Sequence, residues 1–510
     1  MAAILGSTIK RIIGIRGKIP HWRDPYKQQV KMLRKLMTKA QNTAFGQHFH
    51  FDKILLEKDF VSVFQEKVKT YDYSSIYKEW WYRSLKGEPY VCWPEQIKYF
   101  ALSSGTSEAS SKYIPVTKDM LRAFKKGSVR QILAMAHYDL PKEHFQKGFF
   151  ALGGSTALDF NGTYYAGDMS GITAANIPVW FDYFYKPGKK ISKHKDWDTK
   201  ITEIVKSAKD WDIGIIVGVP AWIQILLERI IEYYKVKTIH DVWPNLRIYV
   251  HAGVAIGPYM KSINKLTKFP LIFSDTYLAS EGLIAYQEKP NPFQGMRMLL
   301  DNGLFYEFVP FNENNFDADG NMKEKVEALT IKDVEEGKEY ALLMSTCSGA
   351  WRYLIGDVIK FTNLDNSEIV ITGRTKHFLS LCGEHLSVEN MSRAISTTAN
   401  DLKIVINEFC VAGIPHDTLF AHHWYVGCDS KADPEQIKIR IDNCLKEIND
   451  DYRTERISAL KEVFVTVLPD EAFIDFLASK GKLGSANKFP RVMKGKQLEE
   501  WQTFIKKYKK

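Results

Sequence analysis

Residues 213 to 273 constrain the fold more than any other part of the chain. Ile213-Gly-Ile-Ile-Val217 is an uninterrupted apolar run of strand length. Pro220 follows where proline can open a helix, because the first turn leaves its N–H unbonded in any case. Trp222, Ile223, Leu226, Leu227, Ile230, Ile231 and Tyr234 then recur at helical spacing as one apolar stripe. Two further strand-length runs follow, Leu246-Arg-Ile-Tyr-Val250 and Pro270-Leu-Ile-Phe273, with room for a short helix between them. Strand alternating with helix requires a crossover each time, which sets the strands parallel and covers their sheet with helices. An α/β layer fold is predicted.

The 510 residues exceed what one core serves, so more than one domain is expected. Val30, Leu33, Leu36, Met37 and Ala40 predict one helix over 26–47, packed on the main domain. Runs at 341–344, 358–361 and 368–372 read as strands, the last ending at Gly373-Arg374. Beyond it the pattern becomes a compact α+β unit. Helices are expected at 387–399 and 434–449, and strands near 408–412, 423–427 and 462–468. A boundary close to Gly373 gives domains 1–372 and 373–510. No internal repeat or low-complexity tract interrupts them.

The net charge of +10 suggests nucleic acid as a partner until it is located. Residues 1–39 hold ten Lys and Arg against one acid, and residues 480–510 hold ten against two. The ends therefore carry +17 and the body −7. A nucleic-acid reader gathers its basic charge on a groove-facing stripe, so this distribution argues against one. Solvated terminal helices, or a basic C-terminal segment reaching an anionic ligand, account for it. No window approaches a membrane span, and the N-terminus lacks the layout of a signal peptide. Six cysteines without a CxxC pair fit reduced, buried thiols in a cytoplasmic protein. A monomer is expected.

Several signatures of chemistry fail. Asp317-Ala-Asp-Gly320 has its glycine too early for a calcium loop, and Gly153-Gly-Ser155-Thr-Ala157 lacks the last glycine of a nucleophile elbow. His422 and His423 are adjacent, which puts them on opposite faces of a strand rather than around a metal. Tyr99-Phe-Ala-Leu-Ser-Ser-Gly-Thr-Ser107 is different. Between two strand-like runs it places Ser103, Ser104, Gly105, Thr106 and Ser107, more hydroxyls than a turn needs. Successive N–H groups and hydroxyls of such a loop can bind phosphate, with Gly105 supplying the turn. No Gly-Lys-Ser/Thr closes the segment, so it is not a Walker A loop.

Two further stretches follow in order, Tyr277-Leu-Ala-Ser-Glu281 and Trp351-Arg-Tyr-Leu-Ile-Gly-Asp357, the second shortly before Gly373-Arg374. With the hydroxyl segment they resemble the adenylate-forming superfamily. Within it the match is nearest to the auxin-responsive acyl-acid amido synthetases (the Gretchen Hagen family), bacterial members in particular. These share an SSGTS loop, a Y-x-x-S-E motif and a Y-x-x-G-D motif.

The resemblance implies a large N-terminal adenylate-forming domain of layered sheets and helices, with a small mobile α+β domain after it. It implies ATP and Mg²⁺ as cofactors, and a carboxylic acid and an amino acid or other amine as small-molecule partners. Coenzyme A remains the alternative acceptor, and neither the acid nor the amine is specified. By the same resemblance, Ser103, Ser104, Thr106 and Ser107 contact the ATP phosphates. Tyr277, beside Ala279 and Ser280, stacks on adenine, which Gly253 and Val254 also line. Glu281 holds Mg²⁺, Asp357 binds both ribose hydroxyls, and Arg374 meets the ribose or α-phosphate at the hinge. Lys376, His385, Lys488 and Arg491 all remain candidates for the cation at the α-phosphate. Leu354 stands where arginine is common in the family.

Overall fold

The computed structural model describes residues 24–104, 111–177, 183–253, 256–290, 295–317, 320–376, 378–384, 386–428, 432–480 and 489–508. It forms two compact units, one running to Thr375 apart from the segment 104–112, the other taking Lys376–Lys510.

In the first unit β1 (Tyr99–Ser104), β2 (Ser111–Val116), β4 (Asp159–Phe160) and β5 (Tyr165–Gly167) form a sheet in the order β2-β1-β5-β4. The remaining strands are β3 (Gly148–Ala151), β6 (Tyr185–Lys186), β7 (Ile213–Gly218), β8 (Ile248–Ala252), β9 (Ile272–Ala279) and β10 (Gly282–Tyr286). They continue with β11 (Met296–Met298), β12 (Leu304–Pro310), β13 (Glu339–Thr346), β14 (Tyr353–Asn363) and β15 (Glu368–Arg374). Among the described residues these eleven make one sheet, ordered β12-β13-β14-β15-β11-β10-β9-β8-β7-β3-β6.

Neighbours from β6 to β9 pair in parallel, as the strand–helix alternation requires. From β9 to β12 every pair is antiparallel. The sheet therefore changes character at β9. Its antiparallel half escapes the sequence reading because turns such as Ser280-Glu281 lack the Asn-Gly or Asp-Gly of a familiar hairpin. The helix Pro220–Tyr234 buries a broader face than its stripe suggests, taking in Gln224 and Ile225 as well.

The expected single helix over 26–47 is two. Asp24 caps the first, Pro25–Ala40, by accepting from the N–H groups of Tyr26 and Lys27. The Ala40 carbonyl then accepts from both the N–H and the hydroxyl of Thr43, at 2.9 and 2.7 Å, which ends the helix. Thr43 caps a new one, Ala44–His48, accepting from Gly46 N at 3.0 Å. A Cβ on Gly46 would lie 2.2 Å from the Ala40 carbonyl oxygen, so the tight break admits only glycine there. Gln29 fastens the first helix to the sheet: its amide donates to the carbonyls of Leu300 and Leu304 and accepts from Tyr306 N.

Trp351, fully buried, packs against Phe45 and Phe51 with ring centroids 5.7 and 4.8 Å away. Truncating a core aromatic of this size costs about 3–5 kcal/mol, so the approach to β14 is firmly held. Arg352, next in sequence, has φ 44° and a buried side chain. Its guanidinium pairs with the fully buried Glu307 and donates to the carbonyls of Gln65 and Val68.

The second unit is α+β. A sheet of Leu460–Leu468, Leu419–Gly427, Glu408–His416 and Val492–Met493, in that order, is accompanied by the helices Val388–Leu402, Pro434–Ile448, Asp450–Ser458, Asp470–Ser479 and Gly495–Phe504. Phe473, Phe476, Phe489 and Trp501 form one of its cores.

Candidate active site

The stretch Tyr277 to Glu281 runs out of β9 into the tight turn before β10. Ala279 pairs with Gly282, which leaves Ser280 and Glu281 as the two turn residues. Glu281 is nonetheless only 7% exposed, so its carboxylate is held within the fold and does not trail in solvent.

Asp357 owes its position to an irregularity in β14. On β13, Ala341 and Leu343 are two apart, yet they oppose Val358 and Leu354, four apart on β14. The surplus is a bulge over residues 355–357, a device that bends a strand and re-aims a side chain. Gly356 takes φ 93° within it, a conformation that side-chain-bearing residues rarely adopt. On the other edge of β14, Asp357 directly opposes Arg374, the last residue of β15.

These elements bring four sequence-predicted residues together. The Tyr277 hydroxyl donates to Asp357 Oδ2 at 2.5 Å, and Arg374 Nε lies 2.9 Å from Oδ1. Glu281 lies close enough to act electrostatically on both Tyr277 and Arg374. A fifth residue joins them: Tyr353, 1% exposed, lies close enough to Glu281 to feel its charge. Burial, and then the facing carboxylates, push both phenols well above the usual tyrosine range, so they remain donors. The Asp357 charge likewise raises the pKa of Arg374. Asp357 keeps 14% of its side chain exposed, and each carboxylate oxygen, with one contact made, still has a lone pair to offer.

The Tyr277 ring is 4% exposed and belongs to the main core, so what it presents to the site is its phenol rather than an open face for adenine. One pair further along the parallel strands, His251 opposes Asp275, with Nδ1 3.3 Å from Oδ1. Gly253 follows β8 with φ 89°. Ser103 and Ser104 end β1. Gly105, Thr106, Ser107, Val254, His385 and Lys488 lie outside the described residues. Of the other candidate cations, Lys376 is exposed, whereas Arg491 is paired with Glu408 and donates to the Phe409 carbonyl.

Residues 21–155, 297–374 and 389–497 match, respectively, the GH3 family N-terminal, central and C-terminal domains. The chain belongs to the GH3 family. The hydroxyl segment falls in the first GH3 domain, and Asp357 and Arg374 fall in the second. Over 275 residues the chain is 25% identical to the indole-3-acetic acid-amido synthetase GH3.4 of Arabidopsis thaliana, a stretch covering 50% of this chain and 45% of that relative. It is 26% identical over 172 residues to the jasmonoyl–L-amino acid synthetase JAR6 of Nicotiana attenuata, covering 32% and 28%. The matched stretches thus span about half the length of such curated relatives or less.

Among solved structures, a GH3.15 acyl acid amido synthetase is similar at a TM-score of 0.57 and 16% identity, over 94% of this chain and 93% of that one. A 2-hydroxyisobutyryl-CoA ligase in complex with 2-HIB-AMP and CoA is similar at 0.59 and 12% identity, over 94% and 92%. Both likenesses are of fold. Among the described residues no helix is long and apolar enough to cross a membrane, and the six cysteines are free and buried.

Proposed function

We propose that this GH3 chain is an ATP-dependent acyl acid amido synthetase that adenylates a carboxylic acid and passes the acyl group to the amine of an amino acid. The observation that carries the reading is the cluster in which Glu281 and Asp357, from separate motifs, converge on Arg374 and two buried phenols. An acid for a metal and an acid for a sugar, set in one place, suit a nucleotide.

A carboxylate acylates poorly because its leaving group would be oxide. Its oxygen attacks the α-phosphorus of ATP, the bond to the bridging oxygen breaks, and pyrophosphate leaves. The amine lone pair then attacks the acyl carbon, the C–O bond to AMP breaks, and the nitrogen gives up one proton. Such transition states spread charge over phosphate oxygens, so positioning and electrostatics dominate.

Asp357, with one lone pair left on each oxygen, accepts from the ribose hydroxyls while Tyr277 and Arg374 hold it in place. Ser103, Ser104, Thr106 and Ser107 donate to the phosphates about the turn at Gly105, and Gly253 and Val254 line the base. Glu281 fits Mg²⁺, since a single hard carboxylate oxygen suits an ion that arrives with phosphates and water as its other ligands. Held by Glu281, Mg²⁺ would supply neutralisation of phosphate charge. Lys376, His385, Lys488 and Arg491 are the candidates for the cation at the α-phosphate, Arg491 being the one that pairs with Glu408.

ATP–pyrophosphate exchange with a panel of aryl, indolyl and medium-chain fatty acids tests the first half. Exchange with at least one acid is expected, and its absence with all of them overturns the reading. Mass spectrometry of products formed with mixed amino acids, or with coenzyme A, then identifies the acceptor; an amide is expected, and a thioester alone makes the chain an acyl-CoA ligase.

A further inference from the structure

Lys200, on the helix Trp197–Ser207, is only 3% exposed. Its ammonium donates to the Gly153 carbonyl at 3.2 Å and lies 5.7 Å from the centroid of the Trp197 ring. Trp197 in turn packs on Trp222, with ring centroids 3.9 Å apart. Among the described residues Lys200 forms no ion pair with a carboxylate. Asp168 acts on it from further off and already accepts from the N–H and the hydroxyl of Ser170. An ammonium has three hydrogens to donate, and burying its charge is costly unless an anion answers it. One carbonyl and an indole ring answer it only in part.

The Gly153 contact places Lys200 at the end of the sheet that holds the candidate site. Leu152 N donates to Val217 O at 2.9 Å, so the chain leaving β3 continues alongside Gly218. Gly218 opposes His251, and His251 opposes Asp275, two residues before Tyr277. This is the carboxyl end of the parallel strands, where α/β sheets take their ligands. In the sheet order β7 and β8 stand between β3 and β9, so Lys200 lies about 14 Å along the rim from the strand of Tyr277.

We propose that Lys200 binds a carboxylate of the substrates that takes no part in the reaction: the α-carboxylate of the acceptor amino acid, or a second carboxylate at the far end of the acyl acid. The inference rests on the amido synthetase reading above and specifies the chemistry of its substrates. In that reading the reacting carboxylate lies at the α-phosphorus and the phosphates lie beside it. The anion left for a buried cation further along the rim is a carboxylate remote from the bond being made.

The test compares the full chain with Lys200→Met, which keeps the length of the side chain and removes the charge. Because that charge is unmatched, the melting temperature is expected to hold or rise. If the variant fails to fold, Lys200→Gln, which keeps a donor for Gly153, takes its place. In amide formation, KM for the acceptor amino acid is measured beside KM for its carboxamide. In pyrophosphate exchange, adipate and phthalate are measured beside hexanoate and benzoate. If the amino acid supplies the carboxylate, the variant is expected to raise its KM roughly ten- to hundredfold while kcat and the carboxamide stay unchanged. If the acyl acid supplies it, the variant is expected to abolish a comparable advantage of a diacid over its monoacid. Equal effects on charged and neutral substrates, or no effect, overturn the proposal and leave Lys200 a structural group. A wild type that exchanges with no acid overturns the amido synthetase reading and this inference with it; one that exchanges and forms amides, with Lys200→Met its equal on every substrate, overturns this inference alone. A wild type that forms only a thioester is decided by the exchange comparison.

Discussion

Arg374 and Asp357 face each other at directly opposed positions of β15 and β14, with the guanidinium Nε 2.9 Å from Oδ1. The contact is set by strand register, so it is in place before any ligand arrives. Asp357 is thereby fixed by a cation on one oxygen and a phenol on the other. Asp357→Asn keeps the shape and removes the charge. Losing charge-assisted hydrogen bonds worth about 1.5–3 kcal/mol lowers kcat/KM for ATP in pyrophosphate exchange roughly ten- to hundredfold. The expected readout is steady-state exchange at saturating acid, with the near-ultraviolet circular dichroism of the variant unchanged.

Gly356 separates backbone from packing at the same site. Its φ of 93° disfavours any side chain, yet an added Cβ would meet nothing nearer than Thr375 Oγ1 at 3.8 Å. Gly356→Ala therefore costs backbone strain alone, about 1–3 kcal/mol. A lowered melting temperature is expected together with a loss of exchange activity, because relieving the strain flattens the bulge that aims Asp357. Lost stability with full activity would show that the bulge does not aim it.

The sequence carried the parallel half of the sheet because that half obeys a local rule. Ile213–Gly218 and Pro220–Tyr234 have the periodicities of a buried strand and its crossover helix, and they fold so. The antiparallel half joins consecutive strands through turns without a familiar hairpin dipeptide and is closed by one distant pairing, β11 with β15, and its bulge at Gly356 depends on a two-residue mismatch between β13 and β14 that neither strand shows alone. The site follows the same division. Glu281, Asp357 and Arg374 were legible as motif residues, and the structure brings them into one cluster. That Tyr277 serves Asp357 was not, since a tyrosine four residues before a glutamate points first to its own motif. The repeated tyrosine–acid spacing was the available signal for Tyr353.

Arg352 tests how the platform beneath the site is held. It is left-handed at φ 44° and 5% exposed, and its guanidinium is shared among Glu307 and the carbonyls of Gln65 and Val68. Removing one member of a buried pair leaves the other charge uncompensated, which costs about 3–5 kcal/mol. Arg352→Met should lower stability by that order in denaturant titrations. Arg352→Met combined with Glu307→Gln should recover part of it, because no lone charge then remains inside. A double variant no better than the single one would mean that the two carbonyl contacts, rather than the ion pair, hold the segment.

Glu384 in the second unit gives a pH dependence with a definite sign. It is fully buried, as is His422, whose Nε2 donates to Oε1 at 2.9 Å. Burial alone would raise its pKa, but the hydrogen bond and charge of His422, followed by the Cys382 N–H, bring it from 4.5 down to about 2. The folded state thus binds this proton more weakly than the unfolded chain does. The stabilisation is complete above about pH 4.5 and is lost as pH falls from there toward 2, amounting to roughly 3 kcal/mol. Among the described residues His422 Nδ1 has no hydrogen-bond partner, so Glu384 is the polar anchor of that ring. Asp301, held at about 2 with Arg130 as its partner, titrates over the same range in the first unit, so a global melt would mix the two. Hydrogen exchange of peptides covering 408–427, compared between wild type and Glu384→Gln at each pH, isolates the Glu384 contribution. The variant should exchange faster at pH 6, and the difference should narrow as the pH falls from about 4.5 toward 2. A difference that stays constant across that range would assign the protection to packing rather than to the charge on Glu384.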